Sequence, residues 1–452
     1  MPPPNQFPKP QISDDGKEAN DEIQVEEIEE EQLSQECKQL ILNLPREKGW
    51  RTPYLYLYQG FWCQPTEILA ISTFQKHFQA KDTDVLIATV PKSGTTWLKA
   101  LTFATLNRNH HSPTSENHAL LKFNPHNLVP FFEYTLYSTK ENVPDLSHLP
   151  EPRIFGTHVP FASLPNPIVR DTKTKIVYIC RNPLDTFVSS WFFSNKIKPK
   201  SSPDLPIEEA FGLFCKGVVG FGPFWDHMLG YWKESIERPE KVLFLKYEDL
   251  KEDVNLQLKR VAVFLGCPFT LEEENCGVVE SIVKLCSFEN MKDLEVNKSG
   301  KFGRNFENKF LFRKGEIGDW VNYFTPSMVE KLSKVMEEKL HGSGLSFRLH
   351  KEMGKKSAAN KGKAVAEPTK KNQGHEFRCL PKTVAQMFIY LEEHPEKRAL
   401  VDEMGFGALS YLPNEYLNQR LLRQIYDRYD IYDNTIETDN PFLNPARLAY
   451  SL

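Results

Sequence analysis

The chain has 452 residues, 40% apolar and 26% charged, which suits one large folded domain with extensions, or two domains, and excludes a chain disordered throughout. A net charge of −4 gives no general electrostatic reason to bind nucleic acid or an anionic membrane. The eight cysteines are scattered without a C-x-x-C pair or a His/Cys cluster at ligand spacing, so reduced thiols and no metal are expected.

Residues 1–40 are expected to be disordered: a Pro-rich start leads into Asp14 to Glu36, where eleven acidic residues face one lysine. The start has no basic region followed by an apolar one, and no apolar run approaches about 18 residues. A cytoplasmic protein with no membrane partner is therefore expected.

Residues 41–347 are rich in aromatic and aliphatic residues with regular turn signals, and form the predicted main domain. Within it, VLIATV (Val85 to Val90) is a short, branched, continuous apolar run of the kind that forms a buried parallel strand. The sequence then passes through PKSG into TTWLKALTFATLN, a predicted helix starting at Thr95. A strand that ends where a helix begins leaves unpaired amides and the positive end of the helix dipole aimed at one point, a natural anion site. Gly94 lets the backbone approach closely, and Thr95 and Thr96 offer hydroxyls. This is not the G-x-x-x-x-G-K-[ST] loop, because Lys92 precedes the glycine and the hydroxyl that normally holds magnesium is missing from its place. An ordinary strand-to-helix turn stays open at this point.

A second unit repeats the design. In TKIVYICRNPLDTFVSSWFF, Thr174 to Phe193, a strand ends at Arg181, Asn182 caps, Pro183 opens a helix, and Ser189 lies about two turns in. Ligands gather outside the carboxyl ends of strands in doubly wound sheets, so Arg181 and Ser189 are candidates for the same site. Beyond the main domain, residues 348–374 are basic and poor in large apolar side chains. They read as a flexible linker, with a nuclear address left open. Residues 375–452 predict three short amphipathic helices, with starts near Pro381 and Pro395 and a stop near Gly405 and Gly407.

PKSGTTW, CRNPLDTFVSS, YED and FRKGEIGDW, in that order, resemble the cytosolic sulfotransferases, and the resemblance covers roughly Leu42 to Phe347. GFWCQPTEI, NPHNLVPFFE, GFGPFWDHMLGYW and CSFENMKDLEVNKSG are similar to the plant branch, and within it to hydroxyjasmonate sulfotransferases. The C-terminal FRCLPKTVAQMFIYLEEHPEKRALVDEMGFGALSYLP resembles plant transposon-derived proteins.

The resemblance implies an α/β fold with a central parallel sheet, helices on both faces and a P-loop-like nucleotide site. It implies sulfuryl transfer from 3'-phosphoadenylyl sulfate (PAPS) to a small-molecule hydroxyl, without a metal. Lys92, Ser93, Gly94, Thr95 and Thr96 would cradle the 5'-phosphosulfate. Arg181, Ser189, Arg313, Lys314 and Gly315 would hold the 3'-phosphate, and Trp97, Phe288 and Tyr247 the adenine. His158 would be the base and Lys92 the group facing the leaving oxygen, with Ser189 beside them. Four positions depart from the animal pattern. Gly156 stands where many members have a lysine two residues before the histidine, so it is given no role, and Cys286 replaces a hydroxyl at the adenine. Val321 and Pro326 break the animal dimer motif, so a monomer is expected. Phe131, Phe132, Phe161, Trp191 and Phe221 are candidates for the acceptor pocket, for a hydroxylated jasmonate first and a flavonoid or steroid second. A small-molecule kinase and a non-catalytic nucleotide-binding or regulatory protein are the other readings.

Overall fold

The computed structural model describes residues 35–138, 143–199, 201–302 and 306–347, with the short strands Tyr429–Asp430 and Thr435–Ile436. The first helix among the described residues, α1 (Gln35–Leu42), crosses the expected boundary at residue 40, because Ile41 is buried in the core. An antiparallel sheet follows, β1 (Arg46–Lys48), β2 (Tyr54–Tyr58) and β3 (Phe61–Cys63), and leads into α2 (Pro65–His77). Then come β4 (Val85–Thr89), α3 (Thr95–Asn107), β5 (Ile154–Thr157), β6 (Lys175–Cys180), α4 (Pro183–Ile197), α5 (Phe224–Glu237) and β7 (Val242–Lys246).

β4 to β7 form one parallel sheet in the order β5-β4-β6-β7. Side chains alternate across a strand. Leu86, Ala88, Ile176, Tyr178 and Cys180 accordingly pack into one apolar core, while Ile87, Val177, Ile179 and Leu245 pack into another. Helices cover both faces, as the β-branched runs predict. Because the chain steps from β4 out to β5 and then back across to β6, the crevice at the carboxyl ends lies where the connections diverge. The register pairs Ala88 with Thr157, Thr89 with Ile179 and Cys180 with Lys246. The residues that follow each strand therefore emerge side by side.

The amino ends of β4 and β5 are fastened by a buried fork: Arg153 Nε donates to Asp84 Oδ1 at 2.7 Å and Nη2 to Oδ2 at 2.6 Å. Nη2 also reaches the Gln79 carbonyl at 2.9 Å. Arg153 thus braces the strand that carries His158 from the opposite end of the sheet. Pro326, read as a break in a dimer motif, opens the helix Pro326–Leu340 behind the cap Thr325.

Lys361–Leu452 forms a separate unit, in which Tyr429–Asp430 pairs antiparallel with Thr435–Ile436. The third of the helical patches expected there, YLNQRLLRQIYDRYD, ends at Tyr429 and Asp430, which are strand. The other helices expected after Pro381 and Pro395, and the linker 348–374, lie outside the described residues. Among the described residues no helix is long and apolar enough to cross a membrane.

Removing one partner of a buried ion pair leaves an uncompensated charge, at about 3–5 kcal/mol. Arg153→Leu is expected to lose stability of that order in denaturant unfolding; a loss below about 1 kcal/mol would mean Asp84 finds water or another donor.

Candidate active site

β4 ends at Thr89, and the turn Val90–Gly94 delivers the chain to α3 with Gly94 as the cap at φ 108°. A Cβ on Gly94 would lie 2.7 Å from Tyr247 Cδ2, so both the left-handed conformation and the space require glycine. Lys92 also takes a positive φ of 69°, uncommon outside glycine and a mark of local strain. Its ammonium lies 3.8 Å from the centre of the Phe193 ring. Burial first, then Arg313 and Arg181, lower its pKa to about 7.

Lys92, Gly94, Thr95, Thr96, Trp97, His158, Arg181, Ser189, Tyr247, Phe288, Arg313, Lys314 and Gly315 all line one cavity of about 400 Å³. Ser93 does not. It is buried in the turn with its N–H bonded to the Val90 carbonyl, so it shapes the loop and presents nothing to the cavity through that group. Thr95 Oγ1 lies 2.8 Å from Thr89 Oγ1, and Thr96 Oγ1 lies 3.0 Å from His126 Nε2.

His158 directly follows β5. Its Nδ1 is 2.8 Å from the Thr89 carbonyl oxygen, which can only accept, so Nδ1 carries the proton and Nε2 keeps its lone pair. Its backbone is clamped on both sides: the N–H donates to Glu133 Oε1 at 2.7 Å, and the carbonyl accepts from His227 Nε2 at 2.8 Å. Tyr178 hydroxyl lies 3.0 Å from His227 Nδ1, which fixes that ring in turn. Burial, aided by Lys99, His227 and Lys92 and opposed by the Thr89 carbonyl, lowers the His158 pKa to about 3. The imidazole is neutral at physiological pH.

The cations at the other end are held by carboxylates. Asp319 accepts from Arg313 Nη1 at 2.5 Å and from Lys314 Nζ at 2.6 Å. Asp185, on α4, accepts from the N–H of Gly318 at 2.7 Å and of Trp320 at 3.1 Å, tying their loop to the helix that carries Ser189. Arg181 donates to the Glu316 carbonyl, and its guanidinium carbon sits 4.7 Å from the Tyr247 ring centre. Tyr247 opens the helix Tyr247–Glu252 and donates to the Gly315 carbonyl at 2.7 Å. A Cβ on Gly315 would lie 2.6 Å from the Phe288 ring, so the two share a tight wall.

Three buried donors that line or flank this space, Trp97 Nε1, Arg181 Nε and Arg313 Nε, have no partner among the described residues. Unpaired buried donors are rare, and three around one cavity fit an anionic ligand that would pair them. Cys286 also lines the cavity, and burial raises its thiol pKa. Among the described residues no cluster of three or more His, Cys, Asp and Glu is placed to hold a metal ion.

Of the acceptor candidates, Phe131 and Phe221 line the cavity, 4.8 and 5.5 Å from the His158 ring. Phe132, Phe161 and Trp191 do not. Phe132 stacks on Phe74 at 4.0 Å, Phe161 packs on Tyr231 at 5.4 Å, and Trp191 donates to the Leu205 carbonyl at 2.8 Å; core packing explains all three.

Sequence reasoning missed Thr89, His126, Glu133 and Lys99. Gly156 proves to have a role, since a Cβ there would come 2.4 Å from Lys99 Cε and Nζ. The ammonium of Lys99 fills the space where a side chain at 156 would start. It donates to the Val129 carbonyl at 2.8 Å, lies 3.1 Å from the Phe131 ring centre and offsets Glu133, while burial drives its pKa well down. A lone lysine amid the buried residues of an amphipathic pattern was the available signal.

The sulfotransferase domain model matches residues 82–344, the segment that supplies most of the cavity's lining. The chain belongs to the sulfotransferase family. It is 61% identical to cytosolic sulfotransferase 15 of Arabidopsis thaliana over 71% of this chain and 89% of that one. Against cytosolic sulfotransferase 14 of the same plant the identity is 57%, over 75% and 97%. A solved sulphotransferase from Arabidopsis thaliana superimposes with a TM-score of 0.57 at 43% identity, over 70% of this chain and 97% of that one. Retinol dehydratase, at 21% identity and a TM-score of 0.54, shares the fold. Residues 377–443 match a model described as a domain of unknown function (DUF8566).

In this sulfotransferase, Gly156→Ala forces a methyl group against Lys99, and overpacking of this kind costs about 1–3 kcal/mol. Adding Lys99→Ala is expected to relieve part of the clash, so the double variant should be less destabilised than the sum of the singles. Simple additivity in thermal unfolding would contradict the contact.

Proposed function

We propose that this sulfotransferase moves the sulfuryl group of PAPS to a hydroxyl of a small acceptor in the cytoplasm, a hydroxylated jasmonate foremost. The observation that carries the proposal is the His158 imidazole: neutral, with Nδ1–H spent on Thr89 and the lone pair of Nε2 free, beside a loop bearing a cation. A general base needs that protonation state and that direction.

The charged half of the cavity suits the nucleotide. Gly94, Thr95 and Thr96 meet the phosphosulfate with amides and hydroxyls at the start of α3, where the helix dipole favours an anion. Ser93 supports that turn from behind. Arg181, Arg313, Lys314, Ser189 and the Gly315 backbone meet the 3'-phosphate, with the planar guanidinium forks well matched to its oxygens. Trp97 and Phe288 offer faces to the adenine, and Tyr247 its edge.

In the transfer, His158 Nε2 takes the acceptor's proton as the acceptor oxygen bonds to sulfur. The bond from sulfur to the bridging oxygen breaks, and Lys92 faces the negative charge left on that oxygen. Alignment and charge stabilisation do most of the work, as in phosphoryl transfer. Aromatic rings on the other side of His158 supply an apolar acceptor site.

His158→Ala is expected to lower kcat by at least about 100-fold while the affinity for the desulfated nucleotide, read by calorimetry, stays near normal. Wild-type turnover of hydroxylated acceptors with labelled PAPS in that variant would refute the base assignment. Lys92 adds a pH signature. Its pKa of about 7 leaves it mostly neutral at higher pH, and a bound anion raises that value. Binding the desulfated nucleotide at pH 8 should therefore take up a proton, and Lys92→Met should abolish that uptake; calorimetry in buffers of different ionisation enthalpy reads both.

A further inference from the structure

Beyond the His158 ring, the aromatic half of the cavity ends at a cation that the transfer does not use. Arg51 lines the wall from the turn between β1 and β2, where the Gly49 N–H bonds to the Pro53 carbonyl at 3.1 Å. Its neighbour Trp50 anchors that turn, donating to the Val218 carbonyl at 2.8 Å and packing 6.0 Å from the Phe187 ring. The guanidinium therefore stands on a fixed support.

Arg51 has a poor partner. Its Nη2 is 3.4 Å from Glu67 Oε1, a long contact, and it makes no other hydrogen bond or ion pair among the described residues. Glu67 is engaged elsewhere: Oε2 accepts from the Gln64 N–H at 2.8 Å in capping α2, and Oε1 accepts from the Tyr134 hydroxyl at 3.1 Å. The remaining guanidinium donors are available to a ligand, and Arg51 Cζ lies 5.3 Å from the Phe306 ring centre.

The path from the base to this cation is apolar. The His158 ring is 5.9 Å from the Tyr134 ring and 5.5 Å from the Phe221 ring, and Tyr134 is 6.2 Å from Phe306, on which Arg51 sits. A molecule with its hydroxyl at His158 Nε2 would cover two aromatic rings and meet Arg51 at its far end.

We propose that Arg51 selects acceptors that carry a carboxylate at the end opposite the hydroxyl. This deepens the acceptor assignment above and rests on the reading that this half of the cavity takes the acceptor. A carboxylate matches the planar fork in two-point contact, in a setting where apolar walls strengthen the pairing. Glu67 keeps its two better donors when Arg51 turns to the ligand, so no carboxylate is orphaned. The skeleton between the two ends would be apolar and compact.

The test uses the full chain with PAPS and two acceptor pairs: 12-hydroxyjasmonate and its methyl ester, and a linear ω-hydroxy fatty acid and its methyl ester. The wild-type enzyme should prefer acid over ester by about tenfold or more in kcat/KM for at least one pair, from the usual strength of a charge-assisted pair. In Arg51→Met the acid should fall to near its ester's level, chiefly through KM, and the ester should fall much less. Arg51→Gln, which keeps polar bulk, should behave the same way. Unaltered affinity for the desulfated nucleotide checks the fold of both variants.

Equal turnover of acid and ester by the wild type, or equal losses for both in the variants, would overturn the proposal. Should only the linear pair show the preference, Arg51 stands and the jasmonate assignment falls. Calorimetric binding of acid against ester to the nucleotide-bound protein reads Arg51 without turnover. Acid-selective binding there with no transfer to any hydroxyl would sink the chemistry and leave Arg51 in place, whereas unselective binding would sink Arg51.

Discussion

Thr89 is the point on which the site turns. As the last residue of an inner strand it offers a carbonyl that accepts a hydrogen bond from the Nδ1–H of His158 and a hydroxyl that meets Thr95 at the start of α3. One residue therefore sets the tautomer of the base and the position of the anion loop, from two neighbouring strands whose register is fixed by the ladder. The carbonyl sees an imidazole only because the step from β4 to β5 is parallel and pairs Ala88 with Thr157, one residue short of each contact. Shifting that register by one residue would point the residues after the strand to the other face.

Around this centre the cavity divides by polarity. Towards α4 and the loop from Arg313 to Trp320, cations gather in a partly dry wall. Their mutual repulsion is offset by Asp185 and Asp319, which also aim them. Burial and repulsion together lower the Lys92 pKa, so the site resists its own charge and an incoming anion relieves it. Towards α2 the wall around the base is aromatic, with Arg51 and Glu67 beyond the rings, and the apolar stretch lets the acceptor hydroxyl lose water before transfer. His158 stands at the border, its backbone held by Glu133 and His227 and its ring packed by Phe131, Tyr134 and Phe221. A base between a cationic half and an apolar half stays neutral, because both burial and nearby positive charge disfavour the imidazolium.

Short-range signals made the strands and loops legible in the sequence. The branched run Val85 to Val90, the Asn182 cap with Pro183 behind it, and Gly94 before a helix each act within a few residues, and the structure places each as the local chemistry predicts. Aromatic residues were harder, because a phenylalanine on a wall and one in a core carry the same local pattern. Phe131 and Phe132 are adjacent, yet one faces the cavity and the other stacks on Phe74 from α2. Glu133, His227 and Asp185 were invisible for a related reason. Each acts on a backbone group far along the chain, and nothing in its own segment marks the partner. Arg51 belongs with them, since only folding of the first turn against Val218 brings it to the cavity.

The pair Gly156 and Lys99 carries this furthest. Read along the chain, a glycine two residues before the base is a missing cation. In space the cation is supplied from another element: Lys99 reaches across from α3 and occupies the volume that a side chain at 156 would need. Buried beside Glu133, it balances the carboxylate that holds the His158 N–H and the Thr157 hydroxyl. Glycine at 156 is therefore the condition for the lysine at 99. Lys99 is also among the groups that hold His158 neutral, so the helix helps to set the field at the imidazole. A residue type read from one position can thus vanish from the sequence and remain in the site, because the chemistry depends on where the charge lies and not on which segment delivers it.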